Sequence, residues 1–150
     1  MTKKNDERSV GEIFIKEYNI LNSCQLKIDD HYLSSRDESD FPDLKFCNGK
    51  ELSAEVVRAI SPKIEKEKNN NADIDLIEVD PHKEIFIAIE KKESKHYSNA
   101  KNIILLIHLP FYSDDIDVKS IVPNIGSKGY EFREVWAVWC DETKKPIKLA

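Results

Sequence analysis

From Arg8 to Asn22 apolar residues recur at spacings of three and four: Val10, Ile13, Phe14, Tyr18 and Leu21. That is the period of an amphipathic helix. Ser9 fits an N-cap, with Glu12 three residues on completing a capping box. On this wheel Glu17 falls within about 40° of the centre of the apolar stripe, at 3.6 residues per turn. Glu17 is therefore predicted to point toward the core, whereas Glu12 lies well outside the stripe. Cys24 to Ser39 has no clean period. Gln25 to Leu33 fits either a short strand or a turn of helix, and "SSRDESD" reads as a loop. Two alternating runs, Leu44–Cys47 and Leu52–Val57, then flank Asn48-Gly49 as a β-hairpin. Ser61 to Asn71 is charged and fits a short helix after Pro62 or a loop excursion; "DIDLIEV" is a candidate edge strand.

Asp80 as N-cap and Pro81 at the first helical position open a second helix, predicted to run to about Tyr97. Its apolar positions are Ile85, Phe86 and Ile89, and the same face continues through Lys92 and His96. Asn102 to Leu109 contains consecutive aliphatic residues, as in a strand covered on both faces, and Pro110 ends it. "SDDIDVKSIVPNIGSKG" reads as a long loop with a short helix at Val118–Ile121. Glu131 to Cys140 is a further apolar strand, and a turn at Asp141–Lys145 leads into a short final strand. Helix, strand pair, helix, strand, strand predicts an α/β fold: a mixed central sheet flanked by helices.

Composition narrows this reading without redirecting it. At 150 residues the chain is predicted to be one domain, residues 1–150, with residues 1–8 a disordered tail. With 40% hydrophobic and 34% charged residues it reads as soluble and globular. "MTKKNDERS" lacks the apolar region of a secretory signal, and no apolar run approaches the ~20 residues of a membrane span. Cys24, Cys47 and Cys140 are odd in number and widely spaced, which fits neither a disulfide framework nor a zinc site; a reducing cytoplasm is the expected compartment. A net charge of −5 argues against a protein that coats nucleic acid through bulk charge. A local basic groove remains compatible with it, because metal ions offset acidic ligands.

Candidate chemistry centres on the hairpin. A two-residue loop would mix apolar and polar side chains on both faces. A three-residue loop with Gly49 at positive φ shifts the register by one. Leu44 and Phe46 then share a face with Leu52, Ala54 and Val56, while Asp43, Lys45, Glu51, Ser53 and Glu55 share the other. Since a one-residue slip reverses every side chain, hydrophobic sorting selects this register. It sets Asp43 beside Glu55. Two such carboxylates raise each other's pKa unless a cation lies between them, and with water they suit Mg²⁺. The same residues also fit a solvated polar face screened by Lys45.

"FPDLKFCNGKELSAEVV" resembles the core motif of the PD-(D/E)xK, or restriction-endonuclease-like, nuclease superfamily. Pro42-Asp43 matches the PD and Glu55 the second acid, across a hairpin. The resemblance implies a restriction-endonuclease-like fold and Mg²⁺-dependent (or Mn²⁺-dependent) hydrolysis of phosphodiester bonds in DNA. It implies Asp43, Glu55 and the Val56 carbonyl as metal ligands. The family's lysine, two residues after the second acid, is replaced by Val57. Since the family often relocates that lysine to the following helix, Lys92 is its expected substitute. Glu17 is the expected supporting acid from the first helix, and His96, with Tyr97 beside it, is a candidate phosphate contact. Pairing of subunits into a homodimer is common in the family.

Two readings of other classes stand beside this one. The first is a catalytically inactive relative acting as a binding module, which Val57 and the acidic charge favour. The second is an acidic partner-binding protein without any metal. Remaining motifs carry less. "SDDID" lacks the glycine and distal glutamate of a calcium loop. "NIGSKG" lacks P-loop spacing. Cys47 has no histidine placed to activate it, and Trp136 and Trp139 read as core.

Overall fold

The structure, a computed structural model, describes residues 3–37, 41–59, 81–109, 130–139 and 143–150. Its elements are α1 (Lys3–Asn22), β1 (Lys27–Ile28), α2 (Asp30–Ser35), β2 (Leu44–Cys47), β3 (Glu51–Arg58), α3 (Pro81–Glu93), a 3₁₀ turn (Ala100–Asn102), β4 (Ile103–Leu109), β5 (Glu134–Trp139) and β6 (Ile147–Lys148). The expected elements at Ser61–Asn71, "DIDLIEV" and Val118–Ile121, and the Asp80 cap, lie outside the described residues.

The six strands form one mixed sheet in chain order, β1 to β6. β1, β2 and β3 make an antiparallel meander, β3, β4 and β5 run parallel, and β6 returns antiparallel on β5. The α/β architecture read from the sequence is thus present. Where the sequence left strand or helix open over Gln25–Leu33, the chain forms both. Lys27–Ile28 pairs with the end of β2, and Asp29 then caps α2 by accepting from the Tyr32 N–H at 3.0 Å.

β4 is buried along its whole length, because its two faces are covered by different helices. One core joins Val10, Phe14 and Tyr18 of α1 to Leu44, Phe46, Ile104, Leu106 and Trp136. The other joins Ile85, Ala88 and Ile89 of α3 to Val57, Leu105, Ile107 and Ala137. Burying each such aliphatic side chain contributes about 1.5–3 kcal/mol. Trp136 serves the first core, packing edge-on to Phe14 at 5.3 Å between ring centroids.

Two boundaries differ from those the pattern predicts. α1 begins at Lys3, so Ser9 lies inside a helix rather than capping one, and residues 3–8 are its first turns rather than a tail. The buried face of α1 comprises Glu7, Val10, Gly11, Phe14, Ile15 and Tyr18, while Leu21 is 63% exposed. Gly11 lets the helix lie close against β2: a Cβ there would sit 2.8 Å from the Leu44 side chain. α3 ends at Glu93, four residues before Tyr97. His96 then adopts φ of +48° and turns the chain back toward the sheet. Glycine takes that conformation without a Cβ penalty. His96→Gly is therefore expected to leave stability unchanged or raise it by about 0.5–1 kcal/mol in a denaturant titration, whereas His96→Val should lower it.

Candidate active site

The hairpin adopts the register selected by hydrophobic sorting. Leu44 faces Ala54, Phe46 faces Leu52 and Cys47 faces Glu51. Asn48, Gly49 and Lys50 form the loop, with Gly49 at φ +80°. Continuing this register by one step sets Asp43 opposite Glu55. Both are 5% exposed, on the face of the sheet that α3 covers. The two acids are stitched to each other's backbone: the Asp43 N–H donates to Glu55 Oε1 at 3.0 Å, and the Val56 N–H donates to Asp43 Oδ2 at 2.9 Å. These bonds extend the ladder past the last paired residues of β2 and hold both carboxylates in place.

Each acid also meets a protein cation. Lys92, near the C-terminus of α3, brings its Nζ within 3.1 Å of Glu55 Oε2. The Tyr97 hydroxyl donates to the same oxygen at 3.2 Å. Arg36, just past α2, places Nη2 at 3.5 Å from Asp43 Oδ1 and 2.5 Å from Glu7 Oε2. The loop entering β2 is pinned by the Tyr32 hydroxyl, which donates to the Pro42 carbonyl. Lys45, the expected screen for the acids, instead lies over the Tyr32 ring at 4.6 Å.

Of the residues singled out in the sequence, Asp43, Glu55 and Lys92 come together, and Val56 joins them through its backbone. Glu17 does not. It lies half-buried against a cleft of about 340 Å³ between α1 and residues 143–146, which none of those site residues lines. Ten residues of helix separate it from Glu7, about 15 Å along the axis at 1.5 Å per residue. Around the wheel Glu17 is about 90° from the centre of the face that is actually buried. Glu7 lies close to that centre and is 3% exposed. Its signal was legible, because Glu7, Val10, Phe14 and Tyr18 keep helical spacing through the segment expected to be a tail. His96 is also displaced: its Nδ1 is 3.0 Å from Glu131 Oε1, and its side chain is 74% exposed. The left-handed turn sends it outward and its neighbour Tyr97 inward. Arg36 had no local signal, since nothing in "SSRDESD" distinguishes a buried arginine from a solvated one.

The electrostatics follow from burial. The Glu55 carboxyl is pushed up to about 7, first by desolvation and then by hydrogen bonding and charge from Asp43, while Lys92 pulls it down. The Tyr97 phenol is pushed up to about 12 by burial and by Glu55, so it remains a donor. Between its ordinary value of 4.5 and about 7, the folded Glu55 holds a proton that the unfolded chain lacks. Its titration therefore lowers stability as pH rises through that window. Glu55→Gln has no such proton to lose. Its stability relative to wild type is expected to rise from pH 4 to pH 8, measured by urea unfolding at both.

Whether these groups suit a divalent ion can be judged from their chemistry. Two carboxylates and a backbone carbonyl are hard oxygen donors, the set that Mg²⁺ takes together with water. In an extended strand a residue's N–H and C=O face the same neighbour. The Val56 carbonyl therefore lies on the edge where its N–H meets Asp43. The residue opposite by register is Pro42, which has no N–H to give it. The donor set fits. Among the described residues no cluster of three or more His, Cys, Asp or Glu side chains is arranged to hold a metal, so among those residues an ion would draw on these two acids, the carbonyl and water. No helix among the described residues is long and apolar enough to cross a membrane. Compared with known proteins, the chain matches no family model, no curated protein and no solved structure.

Proposed function

We propose that this protein is a Mg²⁺- or Mn²⁺-dependent nuclease of the restriction-endonuclease-like type, hydrolysing phosphodiester bonds in DNA. One observation carries the reading. Lys92, 37 residues after Glu55 in the chain, brings its ammonium to 3.1 Å from that carboxylate, where the motif lysine missing at Val57 would be needed. The order of elements supports it: helix, antiparallel meander, helix, then a strand parallel to the last of the meander.

In this reading Asp43, Glu55 and the Val56 carbonyl hold the ion. When bound, the ion would neutralise charge on the phosphate and lower the pKa of a water. Lys92 supplies positive charge against the oxygen charge that develops at phosphorus. Arg36, with 1% of its side chain exposed, neutralises Asp43 from the buried side, whereas Lys92 at 12% is the more accessible cation. Two such subunits would cut both strands.

Titration with Mg²⁺ or Mn²⁺ tests the metal directly, because a ligand specific to the folded state raises Tm. Wild type is expected to gain several degrees at millimolar metal, and Asp43→Ala and Glu55→Ala to gain none. A metal shift that survives both substitutions would place the ion elsewhere. The second reading, a binding module without catalysis, draws on Arg36 and Lys92 themselves. Each acid already faces a protein cation, Arg36 being shared with Glu7, so the charge of the pair is partly offset without metal. It predicts DNA binding without cleavage and without a metal-dependent gain in Tm.

A further inference from the structure

We propose that Tyr97 is a positioning residue of this site, its hydroxyl keeping Glu55 in place while Lys92 engages the substrate. The inference rests on the nuclease reading above. Glu55 is tethered at both oxygens. Oε1 accepts from the Asp43 backbone at 3.0 Å, and Oε2 accepts from Lys92 at 3.1 Å and Tyr97 at 3.2 Å. The two donors on Oε2 differ in stiffness. Lysine carries its charge on a flexible four-carbon stem, and a phosphate arriving at the site draws that charge toward itself. Tyrosine has two side-chain torsions, and here the ring is clamped. It stacks on Phe41, with centroids 4.0 Å apart and planes 6° apart, and meets the edge of Phe132 at 6.1 Å.

Phe41 precedes Pro42 and Asp43 directly, so the stack joins the segment after α3 to the entry of β2. The ring contacts alone would be served by phenylalanine. The hydroxyl needs its own account, since a hydroxyl near the core costs stability unless it is hydrogen-bonded. Its partner is the carboxylate that must not rotate when Lys92 leaves. With the Asp43 N–H on one oxygen and Tyr97 on the other, the plane of the Glu55 carboxylate stays defined without help from Lys92. Tyr97 then acts through Glu55 and does not itself touch the reacting atoms.

Tyr97→Phe keeps the stack and removes only the hydroxyl. In steady-state cleavage of a DNA oligonucleotide, kcat is expected to fall about 10-fold, the scale of a small misplacement of a working group, with KM unchanged. The metal-free Tm should stay within about 2 °C of wild type. The Mn²⁺ concentration giving half-maximal thermal stabilisation should rise several-fold. That rise should be larger in a Lys92→Ala background, where Tyr97 is the side-chain donor left on Oε2 among the described residues. An unchanged kcat and Mn²⁺ midpoint, or a loss of kcat matched by an equal loss of metal-free stability, would reduce Tyr97 to packing and overturn the inference. A wild type that cleaves nothing removes the nuclease reading by itself, and the Mn²⁺ midpoints then still decide Tyr97. A wild type that neither cleaves nor responds to Mn²⁺ overturns both.

Discussion

Lys92→Met is expected to abolish most DNA cleavage while leaving the fold and the metal response in place. Methionine keeps the length of the stem and its packing at the end of α3 and deletes only the ammonium. The loss expected from removing one charged group that acts in the transition state is about 10²–10⁴-fold in kcat. Asp43→Asn is expected to lose at least as much, with a different signature: the Mg²⁺-dependent gain in Tm should vanish along with activity. The two variants therefore separate roles that the geometry brings together around Glu55. The control is the substitution at the family position: Val57→Lys is not expected to rescue Lys92→Met. Val57 is 6% exposed and packs in the core beneath α3, so a lysine there would have to bury its charge. Plasmid relaxation and single-stranded oligonucleotide cleavage, each followed with and without Mg²⁺, measure all of these. Full activity in Lys92→Met would show that the ammonium near Glu55 is a structural counter-ion.

Arg36→Met should produce the largest loss of stability. The Arg36 side chain is 1% exposed and bridges Glu7 and Asp43, themselves 4% and 7% exposed as side chains. Removing the cation leaves two buried carboxylates facing each other, and breaking a buried pair in this way costs about 3–5 kcal/mol. For a domain of this size that corresponds to a fall in Tm of roughly 6–20 °C, at 2–4 °C per kcal/mol. Desolvation sets the size of the effect, so it can be undone without restoring charge. Glu7→Leu together with Arg36→Met removes one of the two buried acids along with the cation and is expected to recover more than half of the loss. Urea unfolding of the two single variants and the double variant gives the coupling between the sites. A cost below about 1 kcal/mol for Arg36→Met would mean that water reaches the bridge and that the pair behaves as a surface ion pair.

The two substitutions probe different layers of what the chain encodes. The register of the hairpin, and with it the meeting of Asp43 and Glu55, followed from a rule with period two. Of the two- and three-residue loops that Asn48-Gly49 offers, only the longer puts Leu44, Phe46, Leu52 and Ala54 on the same face, and hydrophobic sorting selects it. The buried strand at Ile103–Leu109 and the helix carrying Lys92 were legible for the same reason. Their periods are strong, and Lys92 continues the face set by Ile85 and Ile89. The first helix is legible only in part. A stripe that begins at Arg8 and includes Ile13 and Leu21 is rotated away from Glu7 and toward Glu17, whereas the helix begins at Lys3 and leaves Leu21 exposed.

By itself, then, the order of residues determined what repeats along the chain: strands, helix faces, the hairpin register and the acids that this register brings side by side. Tertiary structure alone decided what meets across long gaps. Arg36 reaches Glu7 and Asp43, Tyr97 reaches Glu55, and β1 joins the meander through only Lys27–Ile28. The physical reason is that backbone periodicity is a local property, written every two or 3.6 residues. The partner of a buried charge depends on which loops close over it, and a single arginine in a polar loop carries no period to betray where it goes.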